Sequence, residues 1–480
     1  MFLFFRHFTR CVFSFLLGIV CFYALGESAL VAGFLCLGVW GVFSRRYLLA
    51  GLLLLLFFGG TLRSYADLSL WEYHDNTRGF WGQSVVFRGK VATSKETQSG
   101  MSYEIVSLEP FISGRLASRG DIYPRLFRGD IIEARCRVEA PVSSSDFDYA
   151  RYLLGRKIKS ICQNLSWEKI GSEDQGMIAL GVEASKKWLD RTWNRLLSPP
   201  YSSLVLALVF GDARGLDSAS RDLFAKAGLS HILVVSGWHI SFFIDLLVRG
   251  GTRVGIPKPW KLVPVLAMLL FYLLILDFQS AALRSAIMGV LAFGAALSGR
   301  VYDSRRALFF SAGLMSLASP SIIFYDIGFQ LSFLATLGIL VLEKTITGWI
   351  PAIFSWGKIR EHASLTIAAS IFTQPLLLYY FGVFSPVALL ANVLVLPFVA
   401  SIVLSGLAVT VIAAVWFTLA QYLSILLWLA LILLENSIQL LLRIPYAYFD
   451  FRLGGVGLLS IYLCFGLIPI VLYQKNKKRV

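Results

Sequence analysis

Apolar runs of membrane-spanning length constrain this chain more than any other feature of its sequence. YLLAGLLLLLFFGGTL (47–62) and GGVGLLSIYLCFGLIPIVLY (454–473) reach or approach the roughly 20 residues a helix needs to cross a hydrocarbon core about 30 Å thick. Such runs recur along the sequence, and only 15% of the 480 residues are charged, against about 25% in soluble globular domains. The chain therefore reads as an integral membrane protein. Two further apolar runs follow the first almost at once, so the first is expected to be a retained membrane helix rather than a cleaved signal peptide.

Spans are expected near 11–26, 28–43, 47–62, 228–248, 262–277, 281–299, 307–324, 328–343, 362–382, 385–416, 418–442 and 454–473, with Pro397 offering a break in the long one. That makes a polytopic α-helical membrane protein of about 10–12 transmembrane helices.

A net charge of +15 raises the question of a polyanionic ligand. Residues 65–195 carry 19 Lys and Arg against 17 Asp and Glu, so nearly all of the excess lies in the hydrophobic parts. Much of it sits in short loops, at 249–261, 300–306 and 358–360, and in the tail KNKKRV. This is the positive-inside pattern, which reports orientation rather than ligand. With the N-terminus inside, three helices in 1–63 carry the chain out, and the polar stretch 64–200 is extracytoplasmic.

That stretch has a different period. SVVFRGKVATSKE (84–96), SYEIVSLEPF (102–111) and GDIIEARCRVEAP (129–141) are β-rich or alternating. FDYARYLLGRKI (147–158) reads as a short helix, followed by a strand carrying Cys162. A unit this size suits a small β-barrel, and an OB-like barrel, which can bind single strands by stacking bases on aromatics beside cations, is one candidate. Arg125, Arg128, Arg135, Arg137, Arg156, Lys157 and Lys159, interleaved with Phe127, Tyr149 and Tyr152, are the DNA-binding candidates. An ordinary solvated face explains the same residues.

Cys136 and Cys162 are the two cysteines of the extracytoplasmic unit. An oxidising compartment lets them pair, and neither has a neighbouring Cys or His at metal-ligand spacing, so a structural disulfide is expected. Cys11, Cys21, Cys36 and Cys464 lie in apolar spans, where a thiol is a small core residue.

Ionisable groups inside spans are functional candidates by default. GLSHILVVSGWHI (228–240) places His231, Ser236, Gly237 and His239 within an apolar run, and Arg284, Asp326 and Asp277 interrupt others. Asp326 and Gln330 are i,i+4 and share a helix face, with Ser332 nearby. Asp277 and Arg284, at i,i+7, share one if the helix is continuous. These groups are expected to face a common polar cavity rather than lipid. Hydrogen bonding between helices is the alternative role for any one of them.

FGDARGLDSASRDLFAKAGLSHILVVSGWHISFF (210–243) resembles the signature stretch of the ComEC family, inner-membrane channel proteins of bacterial DNA uptake. LRSAIMG (283–289), YDIGFQLSFLATLGIL (325–340) and FGVFSPVALLANVLVLP (381–397) agree with the family in order and spacing, and SDFDYARYLLGRKI (145–158) resembles the end of its external domain. The resemblance implies a transmembrane channel domain over 201–480, following N-terminal helices (1–63) and the OB-like domain (64–200). Translocation-pathway candidates are then Asp212, His231, Ser236, Gly237, His239, Arg284, Asp326, Gln330, Ser332 and Asn392. Val235 and Trp238 depart from the family pattern without removing a polar group.

Many family members continue into a metallo-β-lactamase-like domain. The five histidines here stand at 7, 74, 231, 239 and 362 with no HxHxDH-like cluster, so the resemblance is to a short form without a nuclease. No GxxxxGK[ST] loop occurs either, which leaves directional movement to a partner. The resemblance implies a non-enzymatic channel in the bacterial inner membrane that passes single-stranded DNA and uses no cofactor. Its implied partners are DNA, the lipid bilayer, a cytosolic DNA translocase or strand-binding proteins, and a periplasmic or surface DNA receptor. A secondary transporter of a small solute would also place ionisable groups at the midplane, and is the alternative.

Overall fold

The computed structural model of the protein describes residues 2–25, 55–56, 58–66, 76–97, 100–120, 126, 128–142, 150, 153, 158–173, 176–213, 215–233, 237–351, 359–462 and 464–465. A first helix, α1 (Phe2–Leu25), and a helical stretch at 58–66 precede the β region. The expected span at 28–43 lies outside the described residues.

Five strands follow: β1 (Ser84–Thr97), β2 (Gly100–Glu109), β3 (Arg115–Gly120), β4 (Asp130–Glu139) and β5 (Ile158–Ser172). They close into a barrel in the order β1-β2-β3-β5-β4, with β3 parallel to β5 and the other pairs antiparallel. Alternation drives the closure. On β4, Ile132, Ala134, Cys136 and Val138 point into a core with Phe87, Val91, Tyr103, Ile105 and Leu116, while Glu133, Arg135 and Arg137 face out. Closure leaves no unpaired sheet edge. The Cys136–Cys162 disulfide forms, with Cα atoms 5.5 Å apart, and clips β4 to β5 where the two strands already pair. In the loop-entropy account it stabilises the domain by roughly 2–4 kcal/mol.

An amphipathic helix, α2 (Met177–Leu196), leads from the barrel to the helical region. There follow α3 (Tyr201–Phe210), α4 (Ser218–Lys226), α5 (Gly237–Arg253), α6 (Leu262–Ile275), α7 (Ser280–Leu297), α8 (Ser304–Ala318), the short α9 (Ile322–Tyr325) and α10 (Ile327–Trp349). Next come α11 (Ile359–Tyr380), α12 (Ala388–Val415) and α13 (Phe417–Leu442), with a two-stranded ribbon of β6 (Val383–Phe384) and β7 (Phe449–Asp450). Six helices among the described residues are long and apolar enough to cross a membrane: α6 with its leading turn, α7, α10, α11, α12 and α13. The chain is a multi-pass membrane protein. α12 continues through Pro397 without a break, as membrane helices can where neighbours satisfy the freed carbonyl.

Two expectations need correction. The stretch 228–248 is not one helix: a 3-10 turn at Ser230–Leu233 precedes α5, which starts at Gly237. Nor is the helix continuous from Asp277 to Arg284. α6 ends at Ile275, and Asp277 and Phe278 adopt left-handed φ values of 51° and 54° before α7 begins. The two residues therefore share no helix face. Asp277 instead pairs with Lys186 of α2 at 2.9 Å, tying the amphipathic helix to the α6–α7 turn.

Candidate functional site

α7 carries the centre of the site. Arg284 lies one turn into this membrane helix, half-buried, and its Nε donates to Ser332 Oγ of α10 at 2.5 Å. Its other nitrogens reach Ser285 Oγ and Met288 Sδ, each at 3.4 Å, and the guanidinium carbon stands 5.8 Å from the centre of the Phe333 ring. No carboxylate among the described residues lies within ion-pair distance of Arg284. The guanidinium is thus held by hydroxyls, a thioether and an aromatic face, none of which neutralises its charge.

The same two helices meet again at their N-termini. Ser280 Oγ donates to Asp326 Oδ2 at 2.5 Å, and Asp326 Oδ1 caps α10 by accepting from the Phe329 N–H at 2.7 Å. Gln330 Nε2 donates to the carbonyls of Ile323 and Phe324, at 2.8 and 3.0 Å, at the end of α9. Gln330 Oε1 is buried and finds no donor among the described residues. Asp326 and Gln330 therefore organise the α9–α10 junction while leaving one acceptor unused.

α5 closes the group on another side. A Cβ added at Gly237 would lie 3.4 Å from Ser285 Oγ, and one at Gly289 would collide with Ile244, so glycine lets α5 and α7 approach closely. His239, two residues into α5, is buried and points the other way, its Nε2 2.9 Å from the Leu208 carbonyl of α3.

His231 is exposed in the 3-10 turn Ser230–Leu233, and Asn392 of α12 is buried, its Nδ2 donating to the Ala388 carbonyl of its own helix at 2.8 Å. Gly228 sits at φ 71°, against Ala388. Of the expected cavity, the structure brings together Arg284, Ser332, Asp326 and Gln330, with Ser280 and Ser285, between α7 and α10. Asp212 follows the left-handed Gly211, its N–H closing the end of α3 on the Leu206 carbonyl at 3.1 Å. Ser236 lies outside the described residues.

Residues 208–477 match the family described as competence protein. The chain belongs to the competence protein family. It is 27% identical over 261 residues to ComE operon protein 3 of Bacillus subtilis (strain 168), covering 54% of this chain and 32% of that protein. It is also 30% identical over 203 residues to an uncharacterized protein of Aquifex aeolicus (strain VF5), covering 42% of this chain and 46% of that one. The matches therefore span less than half the length of either relative. No solved structure matches the chain at a significant level.

The polar group between α7 and α10 falls inside the matched region, and the barrel falls outside it. On the barrel of this competence-family chain, Arg128, Arg135 and Arg137 are exposed. Arg137 Nε is 3.5 Å from Glu139, and Glu133 shares the outward face of β4, so that face is mixed in charge. Lys159 corrects an expectation: it is buried, with Nζ 3.5 Å from Ser113 Oγ, where the β3–β5 pairing shifts register and skips it. Arg125, Arg156 and Lys157, with Phe127, Tyr149 and Tyr152, lie outside the described residues. Ser280 and Ser285 were not anticipated from sequence, since serines within apolar spans commonly bond their own helix carbonyls; Ser285 does this too, to Ala281 at 2.8 Å.

Proposed function

We propose that this chain forms the passage by which single-stranded DNA crosses the inner membrane during DNA uptake in competence. The observation that supports this most is Arg284. A cation inside a membrane helix is unfavourable, by up to about 2.5–3.5 kcal/mol at the helix centre on insertion scales and less toward an end, and a carboxylate partner is the usual relief. Here the partners are neutral hydroxyls, so the guanidinium fork keeps its charge for phosphate oxygens, which it can bind bidentately. One such group suits a conduit, which must release what it binds; a dense basic lining would trap a polyanion.

In this reading the protein is not an enzyme and needs no cofactor. Single-strand passage would be driven from the cytosol by a DNA translocase or by strand-binding proteins, and DNA would be delivered by a periplasmic or surface receptor. The barrel's strand order and its parallel β3–β5 pair support an OB-like domain, with Arg128, Arg135 and Arg137 as its strand contacts.

The test follows labelled DNA in cells with the gene deleted. DNA should stay at the surface or in the periplasm, and none should reach the cytoplasm. Normal arrival of DNA in the cytoplasm, with uptake of a small solute impaired, would overturn the reading.

A further inference from the structure

The ribbon of β6 and β7 carries large side chains that packing does not cover. β6 and β7 pair Val383 with Asp450 and Phe384 with Phe449, and the Phe451 N–H closes the ribbon onto the Gly382 carbonyl at 2.8 Å. In the turn leading into β7, Ala447 is buried and its carbonyl accepts from Val387 at the start of α12. The flanking residues do the opposite. Tyr446 is 77% exposed, and Phe449 and Phe451 are also exposed.

Tyr446 holds φ at 62°, the left-handed region that favours glycine or asparagine and is a true outlier for a bulky residue. A tyrosine that is both strained and uncovered lowers the stability of the fold that bears it. Its ring stacks on Phe449, 17° between planes and 5.9 Å between centres, and both residues are exposed. Beside them, Lys226 of α4 stands over the Tyr448 ring at 5.3 Å, with its ion-pair partner Asp222 at 3.5 Å. Arg443 and Arg452 are exposed on the same connection between α13 and the chain beyond it.

We propose that Tyr446 and Phe449 are a nucleobase-stacking platform for single-stranded nucleic acid. The proposal rests on the function proposed above and deepens it by assigning a base-binding site. Flat faces flanked by cations match the two parts of a strand: every base has a face to stack, and every nucleotide a phosphate to attract. Tyrosine is also enriched at lipid headgroups, but a headgroup gains nothing from two rings held nearly parallel, as Tyr446 and Phe449 are.

The experiment uses the full chain in nanodiscs of phosphatidylcholine, titrated at low salt with labelled oligothymidine and with an abasic oligomer of equal length. The wild-type protein should bind the thymidine strand more tightly than the abasic one. Tyr446→Ala with Phe449→Ala should reduce thymidine binding about tenfold or more and leave abasic binding unchanged. Tyr446→Gly controls for folding: it suits the left-handed φ, so the thermal midpoint should hold or rise while base-dependent binding falls. Equal binding of the two strands by the wild type overturns the proposal. So does an unchanged ratio in the double variant, or a variant whose only change is weaker retention in the bilayer, which would assign the patch to lipid. A double variant that keeps base-dependent binding, in a protein whose deletion still blocks DNA uptake, would remove the platform and leave the proposed function standing.

Discussion

Arg284 of α7 donates from Nε to Ser332 Oγ of α10 across 2.5 Å, an interhelical bond between a cation and a neutral hydroxyl inside two membrane helices. An arginine needed only to join helices would be better served by a carboxylate, which would both bond and neutralise it.

Arg284→Ala should lower DNA delivery to the cytoplasm by an order of magnitude or more while membrane levels of the protein stay near normal, because one half-buried side chain contributes little to packing across so many apolar helices. Arg284→Lys should recover only part of the loss, since an ammonium keeps the charge but not the planar fork. Delivery assays paired with immunoblots of the membrane fraction separate the two effects.

Asp277→Asn should leave DNA delivery unchanged. Its partner is Lys186 on α2, at the α6–α7 turn, with the Asp277 side chain 45% exposed. Such a pair contributes at most about 1 kcal/mol, so a thermal melt of the variant should show a small shift or none. A delivery defect as large as that of Arg284→Ala would return Asp277 to the pathway.

How much of this was legible in the sequence differs from residue to residue. Six of the expected spans were readable because hydrocarbon imposes a length on any helix that crosses it, and Arg284 because a cation there stands out against its apolar neighbours. The Cys136–Cys162 pair was readable because no other cysteine shares its domain. The break at Asp277 was not, since LLILDFQS contains no glycine or proline to mark it and the chain turns on two L-residues at positive φ. β3 escaped notice because RLASRG has only six residues and two arginines. The Arg284–Ser332 bond joins residues 48 positions apart, which no local pattern encodes.

Removing the disulfide with Cys136→Ser and Cys162→Ser should destabilise the barrel by roughly 2–4 kcal/mol, because the bond closes a stretch of 26 residues. Reducing and non-reducing melts of the purified protein should show the wild type losing stability in reductant and the double variant indifferent to it.

Gly228→Ala should destabilise the start of α12 by more than about 1 kcal/mol. The added Cβ would collide with Ala388, and the backbone sits at φ 71°. Adding Ala388→Gly would relieve the collision but not the φ, so stability should return only in part. Full rescue by the double variant, read from melting midpoints, would show that the collision alone matters.

The most direct test places a photocrosslinking amino acid at Ser332, beside Arg284, and another at Leu404, an exposed apolar position of α12, in cells taking up labelled DNA. A strand that passes Arg284 should crosslink at 332 and not at 404, and the crosslink should disappear when uptake is blocked. No crosslink at 332 in cells that import DNA normally, or equal crosslinking at both positions, would contradict the account.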